Sequence, residues 1–198
     1  MSKAVLISIR PKWCEKIAQG EKTVEVRKTR PKLETPFRCY IYCTKARERL
    51  STSLTDGDEN YGEIYRGKPV FIKTNDPDDF YAYGHSCAVI GEFVCDRIFP
   101  IDVLDNGSIR NWNYEHMDQA CLSYEDLVAY IGVGKRGFGW HLSDLKIYDD
   151  LKYVGEFPQP LENCKSKTCD EFGCLSCEHG FIKRPPQSWC YVEELSHE

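Results

Sequence analysis

Residues 20–31 read GEKTVEVRKTRP, and this stretch combines the alternation of a β-strand with a high density of charge. Val24 and Val26 alternate with Glu25 and Arg27, which predicts a strand that turns its valines to one face and its charged side chains to the other. Such a strand is either a charged surface strand or one wall of a binding site. The rest of the chain has to decide between these two interpretations.

The composition of the whole chain limits the kind of protein this can be. With 198 residues, of which 41% are hydrophobic and 13% aromatic, the chain is long enough for one domain with a real core. Its net charge of −5 is unevenly distributed, because residues 1–50 carry 13 Lys and Arg against 5 Asp and Glu, whereas residues 51–198 carry 13 against 26. Only the basic N-terminal quarter could attract a polyanion such as nucleic acid, and a solvated basic face is the alternative.

The sequence also predicts where the protein resides. No run approaches the roughly 18–20 apolar residues that span a membrane, and the N-terminal MSKAVLISIRPKW lacks a signal-peptide pattern. We therefore expect a cytoplasmic protein without a membrane partner. In that compartment eleven cysteines, an odd number, favour reduced thiols or a metal site over a disulfide framework.

Segments with the pattern of a strand dominate the chain. The strands are predicted at 4–9, 22–28, 37–43, 86–101 with a bulge or bend at Gly91, and 139–150. One short helix is predicted to begin at Pro11 and to end before Gly20, and a second to begin after the cap Ser123 and to end at Gly132. Residues 45–84 are rich in Gly, Asp, Ser and Glu and predict a long excursion with one strand at 70–73.

This pattern predicts an α+β, mainly β fold, a small β-barrel with two or three short helices. Residues 1–155 would form the barrel domain, including the excursion at 45–84. Residues 156–198 would form a cysteine-rich C-terminal extension that packs on it.

The C-terminal extension contains a candidate structural zinc site. Four cysteines follow one another with the spacing C-x4-C-x4-C-x2-C, namely Cys164, Cys169, Cys174 and Cys177. Thiolates this close in sequence can converge on one tetrahedral Zn²⁺, and a segment with so few apolar residues needs such a constraint to fold. His179 and Cys190 are reserve ligands. Reduced surface cysteines or a redox pair are the alternatives.

The spacing of Gly20, Lys22, Glu25 and Arg27, after a strand and a short helix, resembles the G-x-K-x-x-E-x-R signature of the ASCH domain family. This family shares the PUA-like β-barrel. The resemblance extends in order to YIYCT (40–44), VIGEFVCDRI (89–98) and GWHLSDLKIYD (139–149). The closing KRPPQSWCYVEE (183–194) is similar to the tail of longer phage and bacterial members.

The resemblance implies a cleft lined by the motif residues, with RNA or a nucleotide as ligand. It also implies an alternative activity, because a small bacterial branch of the family acts as amidohydrolases on acetylated cytidine and some members have been proposed as nucleases. That branch shares a lysine at the position of Lys22 but has a threonine at the position of Glu25. It also lacks the excursion at 45–84 and the cysteine-rich tail.

The residues themselves indicate how such a cleft would bind its ligand. Basic side chains from adjacent elements would contact phosphates, and an aromatic ring, from Trp140 or Tyr42, would stack on a base. Glu25 would accept a hydrogen bond from an exocyclic amine, or else hold Arg27 in a fork geometry, or face solvent. The candidate ligand-binding residues are Arg10, Lys22, Glu25, Arg27, Lys45, Trp140 and His141.

Three residues are candidates for catalysis, namely Lys22, Glu25 and His141. A lysine serves as a base only if burial or neighbouring positive charge lowers its pKa, and His141 is the one histidine in a suitable place. The sequence has no G-x-S-x-G, no H-E-x-x-H and no glycine-rich phosphate loop. We therefore predict an RNA- or nucleotide-binding protein, with a hydrolase or a protein-interaction module that uses the acidic excursion as alternatives.

Overall fold

The computed structural model describes residues 2–45, 87–160 and 180–195 and the backbone of residues 49–52 and 71–74. Strands form most of this part of the chain. They are β1 (Lys3–Ile9), β2 (Val24–Arg27), β3 (Phe37–Cys43), β4 (Arg49–Thr52), β5 (Phe71–Thr74), β6 (Ala88–Val103), β7 (Ile109–Arg110), β8 (Arg136–Lys152) and β9 (Trp189–Glu193). The α-helices are α1 (Pro11–Ala18), α2 (Tyr114–Ala120) and α3 (Tyr124–Ile131), and a 3-10 helix covers Val154–Glu156.

Seven of these strands form one curved, barrel-like sheet. The strand order is β2-β8-β6-β3-β1-β9, with β7 paired to β6, and all pairs are antiparallel except the parallel pair of β1 and β3. Within the described residues the end strands β2 and β9 share no backbone ladder. Side chains connect the two ends instead, because Trp189 Nε1 donates a hydrogen bond to Thr29 Oγ1 at 3.0 Å. The predicted α+β, mainly β fold is confirmed, as a barrel-like sheet that is not closed.

The long strands β6 and β8 give the sheet its curvature. Their pairing register shifts three times, once between Val89 and Gly91. A side chain at Gly91 is excluded, because a Cβ there would lie 2.4 Å from the carbonyl oxygen of Lys146. The bend predicted at this glycine is confirmed, since such register shifts bend a strand and increase its twist.

The core lies on both sides of the sheet. The interior of the curved sheet is filled by side chains from β1, β3, β6 and β8 together with Cys14 and Ile17 of α1. A second cluster covers the outer face of β2, where Val24 and Val26 pack against Leu127 and Ile131 of α3. Helix α3 is therefore fixed over β2, and this places its exposed residues beside the start of α1.

The helix boundaries have local causes. Pro11 occupies the first turn of α1, and Ser123 Oγ accepts a hydrogen bond from Asp126 N at 3.1 Å at the start of α3, both as predicted. Helix α2 was not predicted. Its cap is Asn113, whose side chain accepts from His116 N at 3.0 Å, so histidine occupies the position where a capping box ordinarily has Glu or Gln.

The predicted excursion and extension are described in part. Strands β4 and β5 form an antiparallel pair. The strand predicted at 70–73 corresponds to β5, which is shifted by one residue and covers 71–74. Strand β9 pairs antiparallel with β1, so this part of the predicted extension belongs to the main sheet. No helix of the described residues is long and apolar enough to cross a membrane.

Candidate functional site

Strand β2 is buried on both faces, and this decides how its charges are used. Val24 and Val26 face the helices, whereas Glu25 and Arg27 face the interior, where Glu25 lies opposite Trp140 in the register of β8. Lys22, two residues before the strand, is also buried at 2% exposure. The charged stretch is therefore not a surface strand, since three of its ionic side chains lie inside the fold.

These three side chains form a buried ion cluster. Lys22 Nζ lies 3.4 Å from Glu25 Oε2, and Arg27 Nη2 lies 3.0 Å from Glu25 Oε1. Each carboxylate oxygen of Glu25 therefore has its own cation, and the cluster as a whole carries one positive charge. Burying charges is tolerable only when they are paired and hydrogen-bonded in this way.

Backbone carbonyls hold the two cations of the cluster. Lys22 Nζ donates to the carbonyl oxygen of Ala120 at the end of α2, at 2.7 Å, and Arg27 Nη2 donates to the carbonyl oxygen of Ser8 in β1, at 2.6 Å. Arg27 Nη1 also lies 3.5 Å from Ser188 Oγ, just before β9. Arg27 thus connects β2 to the strands at the other end of the sheet.

Burial has a chemical consequence for Lys22. Burial of the ammonium group lowers its pKa, and this effect outweighs the opposing influence of the Glu25 carboxylate. Lys22 Nζ also lies 5.0 Å from the centre of the Trp13 ring, within cation–π distance. Lys22 is therefore closer to giving up its proton than an exposed lysine is.

A cavity of about 460 Å³ opens above the ion cluster. We call Lys22, Glu25 and Arg27 the floor of the cavity, because they are buried, and Arg10 and Lys12 its mouth, because they are exposed. The residues that line it are Ser8, Arg10, Lys12, Trp13, Lys22, Glu25, Val26, Arg27, Thr44, Leu122, Asp126, Tyr130 and Gln187. Its ionic side chains include four cations and two carboxylates, so the cavity favours an anionic ligand.

Two aromatic side chains flank the charged groups. Trp13 lies on α1 and Tyr130 on α3, and the two helices bring them to the same cavity. Cations already lie against both rings, since Lys12 Nζ is 4.2 Å from the Trp13 ring centre and Lys28 Nζ is 5.3 Å from that of Tyr130. Burial raises the pKa of the Tyr130 hydroxyl, while the charges of Arg27 and Glu25 at the floor act on it in opposite directions.

The structure brings four of the predicted ligand-binding residues together, namely Arg10, Lys22, Glu25 and Arg27. Lys45 is exposed and follows Thr44, which lines the cavity, but does not line it itself. Trp140 is fully buried, with its ring edge-on to Phe37 at 6.0 Å between centres. Both faces of this indole are covered, so Trp140 offers no stacking surface, contrary to our expectation.

His141 lies away from the cavity. Because it is opposite Val24 in the register, its side chain points to the face of the sheet that faces the helices, not to that of Glu25. Its Nδ1 lies 2.5 Å from Asp96 Oδ1. Burial acts to raise the pKa of Asp96, but this hydrogen bond together with the electrostatic influence of His141 and Arg97 outweighs it, so the pKa is lowered overall. Of the three predicted catalytic residues, Lys22 and Glu25 therefore lie together and His141 lies apart from them.

The sequence interpretation missed several side chains of the cavity, among them Lys12, Trp13, Asp126 and Tyr130. Trp13 lies on α1, is only partly buried and lines the cavity. The two cations on either side of Pro11, Arg10 and Lys12, could have indicated that the start of α1, with Lys12 and Trp13, contributes to the cavity. For Asp126 and Tyr130 there was no such signal, because the sequence does not show that α3 packs over β2.

The predicted zinc ligands Cys164, Cys169, Cys174 and Cys177, like the reserve ligand His179, lie outside the described residues, and the zinc site stays a prediction. Cys190 is described. It lies in β9 opposite Leu6, and burial raises its pKa to about 11. Of the other cysteines, expected to be core residues, Cys14, Cys39, Cys43 and Cys95 are buried, Cys121 is partly buried and Cys87 is exposed.

A second depression, of about 740 Å³, lies where β6 ends and β8 begins. Loop residues form most of its lining, and its carboxylate Asp102 is already paired with Arg136, with Nε 2.5 Å from Oδ1. No aromatic side chain lines it. The smaller cavity above β2 is the better candidate, because it alone of the two combines buried charge, exposed cations and aromatic rings.

Comparison with known proteins identifies the fold. No family model and no curated protein matches the chain. Among solved structures, ASCH from Zymomonas mobilis gives a TM-score of 0.53 at 17% identity, over 96% of this chain and 88% of that one. A serine-to-alanine mutant of that protein gives 0.54 at 17% identity, over 96% and 89%, and a tyrosine-to-phenylalanine mutant 0.53 at 18%, over 98% and 92%. The predicted resemblance is thereby confirmed at the level of the fold.

Proposed function

We propose that this chain, which has the ASCH fold, binds single-stranded RNA or a nucleotide in the cavity above β2. The observation that carries the proposal is the arrangement of charge, with a compensated ion cluster at the floor and two exposed cations at the mouth. Single-stranded nucleic acid offers the matching groups, since its phosphates are anionic and its unstacked bases are accessible.

The charges indicate which part of the ligand goes where. At the floor Lys22 and Arg27 already bind Glu25 and backbone carbonyls, and the carboxylate of Glu25 would repel a phosphate. At the mouth Arg10 and Lys12 make no ion pair with any described residue. Phosphate groups therefore belong at the mouth and the base belongs at the floor.

The size and lining of the cavity agree with one nucleotide unit. About 460 Å³ is within the range of small-molecule sites, roughly 300–1,000 Å³, and is too small for a folded duplex. Trp13 and Tyr130 provide the aromatic surface on which a base can stack, in place of Trp140. A base that enters such a cavity has to leave its stack, which favours single strands over duplexes.

The test is fluorescence polarisation with labelled single-stranded RNA and DNA at several salt concentrations. We expect binding by the wild type and weaker binding by the double variant Arg10→Ala/Lys12→Ala. Because each phosphate contact contributes about 0.7 to the slope of log K against log salt for single strands, losing two should flatten the slope by about 1.4. The matched control is Lys146→Ala, which removes an exposed lysine of β8 that does not line the cavity.

Two results would contradict the proposal. One is that the wild type binds nucleic acid and that the double variant and the control lose the same amount of affinity, since this would indicate a general charge effect. The other is no binding of either RNA or DNA together with no binding of free mononucleotides.

A hydrolase is the second candidate, and the lowered pKa of Lys22, 3.4 Å from the Glu25 carboxylate, favours it. A lysine amine that loses its proton more easily can act as a general base, with Glu25 receiving or returning the proton. The same RNA samples, and acylated cytidine, can be analysed by chromatography after incubation. Conversion that Lys22→Ala abolishes while the far-UV spectrum is unchanged would support an enzyme.

Two other proposals concern residues outside the described ranges. A structural Zn²⁺ would be held by the four tail cysteines, which can be tested by metal analysis of the purified protein. A protein-interaction role would depend on residues 50–80 and would survive the substitutions in the cavity.

A further inference from the structure

We propose that the cavity selects guanine among the bases and that Glu25 determines this specificity by binding the N1–H and 2-amino group. The inference rests on the proposed nucleotide-binding function and goes further, because it assigns the base. It follows from the way both carboxylate oxygens are fixed at the floor of the cavity.

The two oxygens of Glu25 form a rigid pair of acceptors. Arg27 Nη2 holds Oε1 at 3.0 Å and Lys22 Nζ lies 3.4 Å from Oε2, while Glu25 still lines the cavity. Each carboxylate oxygen accepts more than one hydrogen bond, so one cation on each leaves acceptor capacity on both. A ligand that satisfies this capacity needs two adjacent N–H donors at the spacing of the carboxylate.

The common bases differ at this point. Guanine presents N1–H beside its 2-amino group, which matches a carboxylate with two parallel hydrogen bonds. Adenine and cytosine present an amino group beside a ring nitrogen without hydrogen, and uracil presents one N–H between two carbonyl oxygens. None of these three bases offers two adjacent N–H donors, so each makes at most one such hydrogen bond to Glu25, and adenine and uracil also place an acceptor against the carboxylate.

The cations of the floor complement the remaining polar group of guanine. Beside N1–H the base carries the acceptor O6, and Arg27 Nε is a buried donor that finds no acceptor among the described residues. Leaving such a donor without a partner is costly, so an approaching carbonyl oxygen is favoured at Arg27. Acceptor and donor therefore lie side by side at the floor, as the edge of guanine requires.

The test is isothermal titration calorimetry of the full chain with 5′-mononucleotides that differ in the base. We expect GMP to bind more tightly, by about tenfold or more, than IMP, which lacks the 2-amino group, and than AMP, CMP and UMP, since tenfold corresponds to about 1.4 kcal/mol, which one bidentate contact can supply. The variant Glu25→Gln replaces one acceptor with a donor. It should lose the preference for GMP and prefer XMP, which carries a carbonyl oxygen at C2.

The possible results distinguish a failure of the guanine assignment from a failure of nucleotide binding itself. If GMP and IMP bind the wild type equally, the assignment of guanine is wrong while nucleotide binding stands. If no mononucleotide and no RNA binds, the proposed function fails and this inference fails with it. The wild-type series decides even if Glu25→Gln does not fold, and Glu21→Gln, an exposed carboxylate outside this cavity, should keep the preference for GMP.

Discussion

At the residue scale, Glu25 is the group on which the charged cluster depends. Two cations and one anion are buried together at β2, and among the described residues Glu25 alone forms ion pairs with both cations. The same side chain therefore has two roles, because it stabilises the fold and also faces the ligand. A substitution at Glu25 has to be judged on folding and on binding separately.

We predict that Glu25→Ala lowers the free energy of unfolding by about 3–5 kcal/mol, because Lys22 and Arg27 would remain buried without a counter-charge. The measurement is urea unfolding followed by circular dichroism. The matched control is Glu21→Ala, whose partner Lys16 lies 2.6 Å away in an exposed pair, and which should cost less than about 1 kcal/mol. Equal losses for the two variants would show that the buried cluster is no more important than a surface pair.

The sequence predicted part of this arrangement. The alternation of valines and charges correctly separated Val24 and Val26 from Glu25 and Arg27. It did not show that both faces of β2 are buried. A strand of four residues has the same alternating pattern whether its charged face is exposed to solvent or packed inside the fold. The acceptors of the two cations, carbonyl oxygens of Ala120 and Ser8, are distant in sequence and carry no side-chain signal at all.

At the element scale, α3 links folding to the cavity. Its buried face packs on β2 through Leu127 and Ile131, and its exposed side carries Asp126 and Tyr130 to the cavity. The helix itself was predictable from the Ser123 cap and from Gly132 at its end. Its place over β2 was not, because it depends on long-range packing. Strand β9 escaped prediction for the same reason, since it is short and only its pairing with β1 defines it.

We predict that Leu127→Ala lowers the free energy of unfolding by about 2–5 kcal/mol, because a fully buried side chain is removed between α3 and β2. We also expect it to weaken RNA binding, since Tyr130 would no longer be fixed at the cavity. The measurements are urea unfolding and fluorescence polarisation on the same preparation. Val133→Ala, at an exposed residue just after α3, should change neither quantity appreciably. An unchanged affinity in a folded Leu127→Ala protein would show that α3 does not position the ligand.

At the scale of the whole molecule, two regions of the sheet serve different purposes. The region around β2, α1 and α3 carries the cavity and its cations. A different cluster, around Ala4, Tyr40, Tyr148 and Val192, contains tyrosine hydroxyls with internal partners, such as Tyr148 Oη, which donates to Glu92 Oε2 at 2.6 Å. These tyrosines stabilise the fold only while they keep their protons.

The buried tyrosines of this cluster make stability depend on pH in the alkaline range. Burial raises the pKa of Tyr40 to about 12, against about 10 in the unfolded chain, and burial also raises that of Tyr148. Between these two pH values the unfolded chain has lost the Tyr40 proton while the folded chain keeps it. The contribution of Tyr40 is therefore fully present below about pH 10 and is lost as pH rises toward 12.

We predict that the free energy of unfolding falls between pH 10 and 12, and that Tyr40→Phe removes up to about 1.4 kcal/mol per pH unit from this decline. The comparison of variant and wild type isolates Tyr40 from lysines and cysteines, which titrate in the same range. Urea unfolding at pH 8, 10, 11 and 12 measures it, with Tyr114→Phe at the exposed start of α2 as the control. The variant also loses the hydrogen bond from Leu195 N to Tyr40 Oη, which lowers its stability already at pH 8. Parallel pH profiles for the wild type and Tyr40→Phe would contradict the prediction, because they would show that Tyr40 titrates alike in the folded and unfolded chain.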